Sequence, residues 1–145
     1  MIPGEGPDAD AIKAINASVV AEFRANAGTV RGDLEGAELL LLTTKGAKSG
    51  QPRLVPLVYL TINAKTLIVG SYAGADVDPA WVHNLRANPR THVEAGTEEY
   101  DAIARELPPA EREPLWARII ALKPAYADSQ ATTSRVFPLF ELEAI

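Results

Sequence analysis

The sequence predicts an α+β fold in which an antiparallel sheet closes into a small barrel with peripheral helices. About six strand-like runs lie mostly in hairpins, whose links are too short for parallel crossovers. Three or four further segments show the apolar spacing of helices. The length of 145 residues is common for one domain, so we expect residues 1–145 to form a single domain.

The first predicted element is a helix over residues 8–26, an N-terminal extension to the barrel. Its apolar residues recur at three- and four-residue spacing from Ile12 to Phe23, and Gly28 follows as a C-cap. The pattern leaves open whether the apolar face packs on the barrel, pairs two subunits in a homodimer or makes peripheral membrane contact. Residues 29–36 are rich in turn residues and predict a loop or a short irregular strand.

Three strands rich in Leu, Val, Ile, Thr and Tyr are predicted next, and turn residues separate them. Their expected ranges are 37–44, 52–62 and 66–72. Pro52 and Pro56 have no backbone donor. We therefore expect the middle strand at an edge of the sheet, or bulged beside a ligand.

Helices and strands alternate in the second half of the chain. Asp78 and Pro79 predict the N-cap and the first residue of a short helix that ends at Asn88 and Pro89. The elements expected after it are two strands of a hairpin over 91–95 and 100–106, a helix over 108–122, an irregular or short helical segment over 124–134, and a last strand over 136–142.

Composition excludes several classes of function. Without cysteine the chain has no disulfides, no thiolate catalysis and no cysteine-based zinc site. His83 and His92 lack the spacing of a helical ligand pair, so we expect no metal and assign neither a catalytic role. The first residues show no signal peptide, and the longest aliphatic block, Leu39–Leu42, cannot span a bilayer. A cytoplasmic location is therefore predicted.

Charge is distributed unevenly along the chain. The net charge is −5, yet residues 39–75 contain four basic residues and no acidic one. A local cationic site on an acidic protein indicates a small anionic ligand. A nucleic-acid partner is not expected, because such proteins are usually basic overall.

Two loops carry the candidate binding groups. Residues 48–53, KSGQPR, offer an ammonium, a hydroxyl, a guanidinium and backbone N–H groups, a donor set that suits phosphate. Residues 71–81 have small side chains that permit close approach of a planar ring, and they lead into a helix N-terminus. Taken alone, the first loop could be a surface turn whose charges only favour solubility. The second could be a simple strand-to-helix connection with Trp81 packed in the core. Their presence together favours a binding site.

With their flanking residues, these loops resemble the deazaflavin-dependent nitroreductase family, oxidoreductases of actinobacteria that use coenzyme F-420 on a split β-barrel. The resemblance is most specific over residues 40–53, LLLTTKGAKSGQPR, with Pro56, and over residues 71–74 leading to the helix that begins near Pro79. It implies an FMN-binding split-barrel-like fold. The implied activity is hydride transfer from reduced coenzyme F-420 to a quinone, enone or nitro-type acceptor.

The resemblance also implies roles for individual residues. Lys48, Ser49 and Arg53 would hold the phosphate and acidic tail of the cofactor, with Gln51 in the same loop. The deazaflavin ring would contact Val55 and Pro56, and the remaining cofactor wall would consist of Ser71, Tyr72, Ala73, Gly74, Ala75, Trp81 and Asn84. The implied catalytic residues are Ser71 and Tyr126, the latter on a lid over the acceptor, where its phenol would donate a hydrogen bond or a proton. Simple packing of Tyr126 remains an equal alternative.

Two other functions fit the same residues. A phosphate-binding hairpin would equally serve FMN in a related split-barrel oxidoreductase, and a non-catalytic carrier would need the cofactor site without an acceptor pocket. The sequence also departs from the family pattern at Tyr72 and Ser129, where some relatives have a lysine and a second lid tyrosine. Both positions concern the acceptor more than the cofactor.

Overall fold

Six antiparallel strands close into a barrel, as the sequence predicts. The computed structural model describes residues 9–28 and 38–145. Its strands are β1 (Leu39–Lys45), β2 (Pro52–Ile62), β3 (Lys65–Val69), β4 (Arg90–Ala95), β5 (Glu98–Glu106) and β6 (Leu139–Ala144). Their order around the barrel is β1-β2-β3-β6-β5-β4, and β4 pairs with β1 to close it.

Helices surround this barrel. Within the described ranges they are α1 (Ala9–Ala25), α2 (Ala80–Ala87), α3 (Pro109–Leu122) and α4 (Ala125–Gln130). None of these helices has the length and apolar character that a membrane crossing requires. The loop or strand predicted over 29–36 lies outside the described residues.

Strand β1 is buried on both faces, which explains its unbroken run of leucines. Leu40 and Leu42 belong to the core inside the barrel. Leu39 and Leu41 point the other way and pack against Phe23 of α1, whose exposed fraction is 2%. The C-terminal part of the apolar face of α1 therefore packs on the barrel, the first of the three alternatives that the sequence leaves open, whereas Ile15 of the same face is 61% exposed.

The C-terminal end of α1 is fixed closely to the β4–β5 turn. Gly28 has a φ of +91° and donates its N–H to the Phe23 carbonyl at 2.8 Å, so the predicted glycine C-cap is confirmed. Arg24 adds an ion pair to Glu94 of β4 at 2.8 Å.

Strand β2 changes partners along its length. Residues 52–58 pair with β1 alone, and only residues 59–62 pair with β3. Tyr59 donates its N–H to the Glu38 carbonyl. Because hydrogen-bonded and non-hydrogen-bonded pairs alternate along an antiparallel ladder, Pro56 falls at a non-hydrogen-bonded pair and needs no N–H toward β1. The predicted edge position of this strand is thus confirmed for its first half.

The prediction that Asp78 caps α2 is wrong. The helix begins at Ala80 behind an extended Pro79, and no side chain caps its first turn. The Asp78 carboxylate instead accepts from Arg86 at 3.0 Å and from Arg135 at 2.6 Å. An ion pair with two guanidinium groups outweighs a cap, which is typically worth about 1 kcal/mol.

Two predicted strands are too long. The third ends at Val69 rather than residue 72, because the chain turns into a 3₁₀ segment at Tyr72–Gly74. The last begins at Leu139 rather than residue 136. The residues before it serve other contacts, such as those of Arg135 with the β3–α2 loop.

His92 should make stability depend on pH. Its Nδ1 lies 2.8 Å from Asp101 Oδ1, and this hydrogen bond raises the pKa of His92 and lowers that of Asp101. The stabilisation is complete below the ordinary histidine pKa of about 6.5 and is lost as pH rises through the raised value. We expect His92→Asn to lower the melting temperature more at about pH 5.5 than at about pH 8.5. An equal loss at both pH values would contradict this.

Candidate functional site

A cavity of about 840 Å³ lies along the unpaired edge of β2. The β1–β2 hairpin, the β3–α2 loop and the first turns of α2 form its other walls. Asn16 of α1 and Tyr126 of α4 also line it. Its size is in the range of small-molecule sites, about 300–1,000 Å³.

The structure gathers most of the residues predicted for the site around this cavity. Those that line it are Lys48, Ser49, Arg53, Val55, Pro56, Ser71, Tyr72, Trp81, Asn84 and Tyr126. Gln51, Gly74 and Ala75 are not part of the lining, and the side chain of Ala73 lies outside the described structure. Gly74 lies instead next to the end of α4, where its carbonyl is 3.3 Å from Thr132 Oγ1.

Several lining residues have no counterpart in the sequence prediction. They are Asn16, Thr44, Gly46, Ala47, Leu54, Leu57, Val58, Val69, Pro79, Ala80 and His83. Leu54, Leu57 and Val58 could have been inferred from their proximity to Pro56 on an edge strand, whereas Val69 lies at the end of β3. Asn16 could not, since its position depends on how α1 packs. His83, to which the sequence assigns no catalytic role, is exposed at the cavity wall.

The β1–β2 hairpin loop is organised by its own backbone and by Ser49. Gly46 N–H donates to the Gln51 carbonyl at 2.8 Å, and Gly50 adopts a φ of +71°. Ser49 Oγ accepts from the Gln51 N–H at 3.1 Å and from Arg53 Nη2 at 3.3 Å. The loop therefore holds the serine hydroxyl and the guanidinium next to each other at the cavity wall.

Asn84 connects helix α2 to this loop. Its buried side chain accepts from the Ala47 N–H at 2.9 Å and donates to Thr44 Oγ1 at 3.0 Å. Both polar ends of the amide are used within the protein. Besides lining the cavity, Asn84 thus fixes where the hairpin loop lies relative to α2.

We expect Asn84→Ala to lower the free energy of unfolding by about 1–3 kcal/mol, because it leaves the Thr44 hydroxyl and the Ala47 N–H without their partner. His83→Ala is the matched control, on the same helix and the same cavity but exposed and without a side-chain hydrogen bond to any residue that the structure describes. It should cost less than about 0.5 kcal/mol. Chemical denaturation measures both, and equal losses would contradict the bridging role.

The cationic groups at the cavity have no acidic partner among the residues that the structure describes. Lys48 and Arg53 form no ion pair with any described residue, whereas Arg24, Arg86 and Arg105 all do. The described lining also contains no Asp or Glu. An anion would therefore meet two uncommitted cations and a hydroxyl.

The rest of the cavity is largely apolar. Val55 and Leu57 pack on the barrel core, and Trp81 reaches the cavity while its ring contacts Phe140 edge-on at 5.7 Å. Trp81 thus serves both as core residue and as cavity wall. A ligand that fits has an anionic end and a planar or apolar body.

Two tyrosines lie on the acceptor side implied by the resemblance. Tyr72 has a φ of +46°, a left-handed conformation that costs about 1 kcal/mol or more for a residue with a side chain. Burial raises the pKa of the Tyr126 phenol above its ordinary 10.0. The Tyr126 ring packs edge-on against Trp116 at 6.4 Å, and its hydroxyl has no hydrogen-bond partner among the described residues.

The family model and the curated relative described next both carry the name of F420H(2)-dependent quinone reductase. A family model described as F420H(2)-dependent quinone reductase matches residues 16–144. An F420H(2)-dependent quinone reductase of Mycobacterium tuberculosis is 34% identical over 126 residues, which span 83% of each protein.

Solved structures agree with this relationship. An F420-H2-dependent reductase is 40% identical and superposes with a TM-score of 0.65, covering 73% of this chain and 94% of the other. A second structure, described as a domain-swapped dimer, is 35% identical with a TM-score of 0.67, and the match covers 92% of this chain and 98% of that one.

Proposed function

Because this chain belongs to the F420H(2)-dependent quinone reductase family, we propose that it reduces a quinone in the cavity at the edge of β2, next to coenzyme F-420. The enzyme is an oxidoreductase that uses the reduced deazaflavin. The observation that carries the proposed site is the pair of uncommitted cations, Lys48 and Arg53, at one end of a large apolar cavity.

The residues present fit such a cofactor. Lys48, Arg53 and the Ser49 hydroxyl would bind the phosphate and the acidic tail, since guanidinium groups bind phosphate bidentately and lysine adds a positive charge. The edge of β2 at Val55 and Pro56 would support the flat face of the ring. This environment also fits because the described lining offers no carboxylate that would repel the anionic tail.

When bound, the reduced cofactor supplies the hydride. The protein's part is to exclude water, to orient the acceptor and to provide a proton. The apolar lining and the lid helix α4 limit the access of water. Ser71 and Tyr126 remain our proposed hydrogen-bond donors toward the acceptor oxygen that gains negative charge.

Tyr126 suits the role of hydrogen-bond donor, and of proton donor to an acceptor oxygen that has become basic. Like any tyrosine its phenol is protonated at neutral pH, and the hydroxyl is not engaged elsewhere in the described structure; the raised pKa makes it a weaker acid and not a stronger one. We expect Tyr126→Phe to lower kcat for quinone reduction about 100-fold, the lower range for a general acid. The ring contact with Trp116 is retained, so the melting temperature should change little.

A matched control for this variant is Tyr100→Phe, which removes a half-buried phenol that lies outside the cavity lining. Steady-state rates at saturating cofactor would be compared with those of wild type. A kcat that is unchanged in Tyr126→Phe would exclude proton donation by this residue. The wild-type rate should not fall through titration of Tyr126 below pH 10.0, because its pKa is raised above that value.

The direct test of the function has two arms. The first is titration of the purified protein with oxidised coenzyme F-420 and with FMN, followed by quenching of Trp81 at the cavity wall. The second is oxidation of the reduced cofactor by a panel containing a quinone, an enone and a nitroaromatic compound. Binding of the deazaflavin with turnover of the quinone supports the proposal. Cofactor binding without reduction of any acceptor would favour a carrier, and binding of FMN alone would favour a flavin enzyme.

A further inference from the structure

Arg135 is bound to the β3–α2 loop by an unusual set of hydrogen bonds. Its guanidinium donates to the carbonyls of Gly70, Ser71 and Ala75 at 2.8–2.9 Å and to the Asp78 carboxylate at 2.6 Å. Only 13% of the side chain is exposed. A single side chain thus gathers three backbone carbonyls from one loop.

This loop forms a wall of the cavity, whereas Arg135 itself is not part of the lining. Ser71 accepts from Arg135 through its carbonyl, and the next residue, Tyr72, has the left-handed φ of +46°. Converging carbonyl dipoles repel one another unless a donor lies between them. The planar guanidinium, with five N–H donors in fixed directions, satisfies several carbonyls at once in a way that lysine cannot.

The segment that follows α4 adds further contacts to the same loop. Thr133 Oγ1 donates to Asp76 at 2.7 Å, and the Thr132 hydroxyl, which donates to Ser129 at 2.7 Å, lies 3.3 Å from the Gly74 carbonyl. Arg135 also lies over the Phe137 ring, 4.8 Å from its centre. The loop at the cavity is therefore held from the same C-terminal part of the chain that carries Tyr126.

We propose that Arg135 is a positioning residue for the cofactor site. It holds the Ser71 carbonyl, and with it the strained left-handed backbone of Tyr72 that follows, in the conformation that the site requires, so that cofactor affinity depends on a guanidinium outside the cavity. This inference rests on the function proposed above. Without Arg135 the loop relaxes into other conformations. The apparent affinity then falls in proportion to the fraction of molecules whose loop keeps the binding-competent conformation.

Arg86 provides a matched control. It also pairs with Asp78, at 3.0 Å, and with Glu106 at 2.8 Å. No hydrogen bond joins Arg86 to a carbonyl of the loop. Arg86→Met therefore removes ion pairs around Asp78 while the three carbonyl bonds of Arg135 remain.

The experiment compares Arg135→Lys, Arg135→Ala and Arg86→Met with the wild-type protein. Affinity for oxidised coenzyme F-420 is measured by tryptophan quenching, stability by thermal unfolding, and loop order by hydrogen exchange of the amides of residues 71–76 without cofactor. Arg135→Lys should bind at least ~10-fold more weakly, as expected if the competent loop is populated about a tenth of the time. Its loop amides should exchange faster, and Arg86→Met should bind within about twofold of wild type.

Chemical rescue separates positioning from general stability. Millimolar guanidinium chloride should partly restore cofactor binding to Arg135→Ala, whereas the same concentration of sodium chloride should not. Two results would overturn this inference and leave the proposed function standing. One is wild-type affinity in Arg135→Lys, and the other is that Arg86→Met weakens binding as much as Arg135→Lys does for the same loss of stability. Absence of binding by the wild-type protein would instead overturn the proposed function, and this inference with it.

Discussion

Replacing Arg53 with alanine is expected to weaken the binding of oxidised coenzyme F-420 by about 1.5–3 kcal/mol, roughly 10- to 150-fold in Kd. The Arg53 guanidinium lines the cavity and has no carboxylate partner among the described residues. Its hydrogen bond to the Ser49 hydroxyl is long, at 3.3 Å. Most of its donors are therefore available for phosphate oxygens, and their loss removes charge-assisted contacts.

Lys45→Ala is the control for this variant. Lys45 lies in the same hairpin and is also exposed, yet it does not line the cavity. Its removal should change Kd less than about twofold at moderate ionic strength, because an exposed lysine outside the lining makes no direct contact with the ligand and its charge is screened by salt. Equal weakening by the two variants would mean that the hairpin attracts the cofactor through its overall charge and not through a direct contact of Arg53.

The strands and helices follow from local patterns, and their ends follow from distant contacts. The range of β2 is that predicted from composition and turn residues, and the prolines correctly placed its first half at an edge. The ends of β3 and β6 differ from prediction because Arg135 holds the β3–α2 loop. Such a contact spans more than 60 residues, and no local pattern indicates it.

In the site, too, some features follow from the local sequence and others from distant contacts. The hairpin loop was recognisable because its charges, hydroxyl and glycines are adjacent in sequence, and its geometry is set by bonds within the loop. Asn84 was assigned only to the cofactor wall, whereas its amide also bridges Thr44 and Ala47. That second role depends on the packing of α2 against β1, which a single sequence does not specify.

Gly28→Ala, at the end of α1, should lower the stability of the protein more than Gly96→Ala in the neighbouring β4–β5 turn. The φ of +91° is unfavourable for alanine, and a Cβ atom would lie 2.8 Å from the backbone Cα of Gly96. Left-handed strain costs about 1–2 kcal/mol and overpacking about 1–3 kcal/mol. We therefore expect the free energy of unfolding to fall by roughly 2–5 kcal/mol in chemical denaturation.

Gly96→Ala separates the two contributions. Gly96 also has a positive φ, +61°, but its Cβ would meet no atom of a described residue within 4 Å, so only the strain of about 1–2 kcal/mol should appear. Equal losses in the two variants would show that close packing at the helix end contributes nothing. Because Asn16 of the same helix lines the cavity, displacement of α1 by Gly28→Ala should also weaken cofactor binding. Gly96→Ala leaves the helix in place and should retain the wild-type Kd.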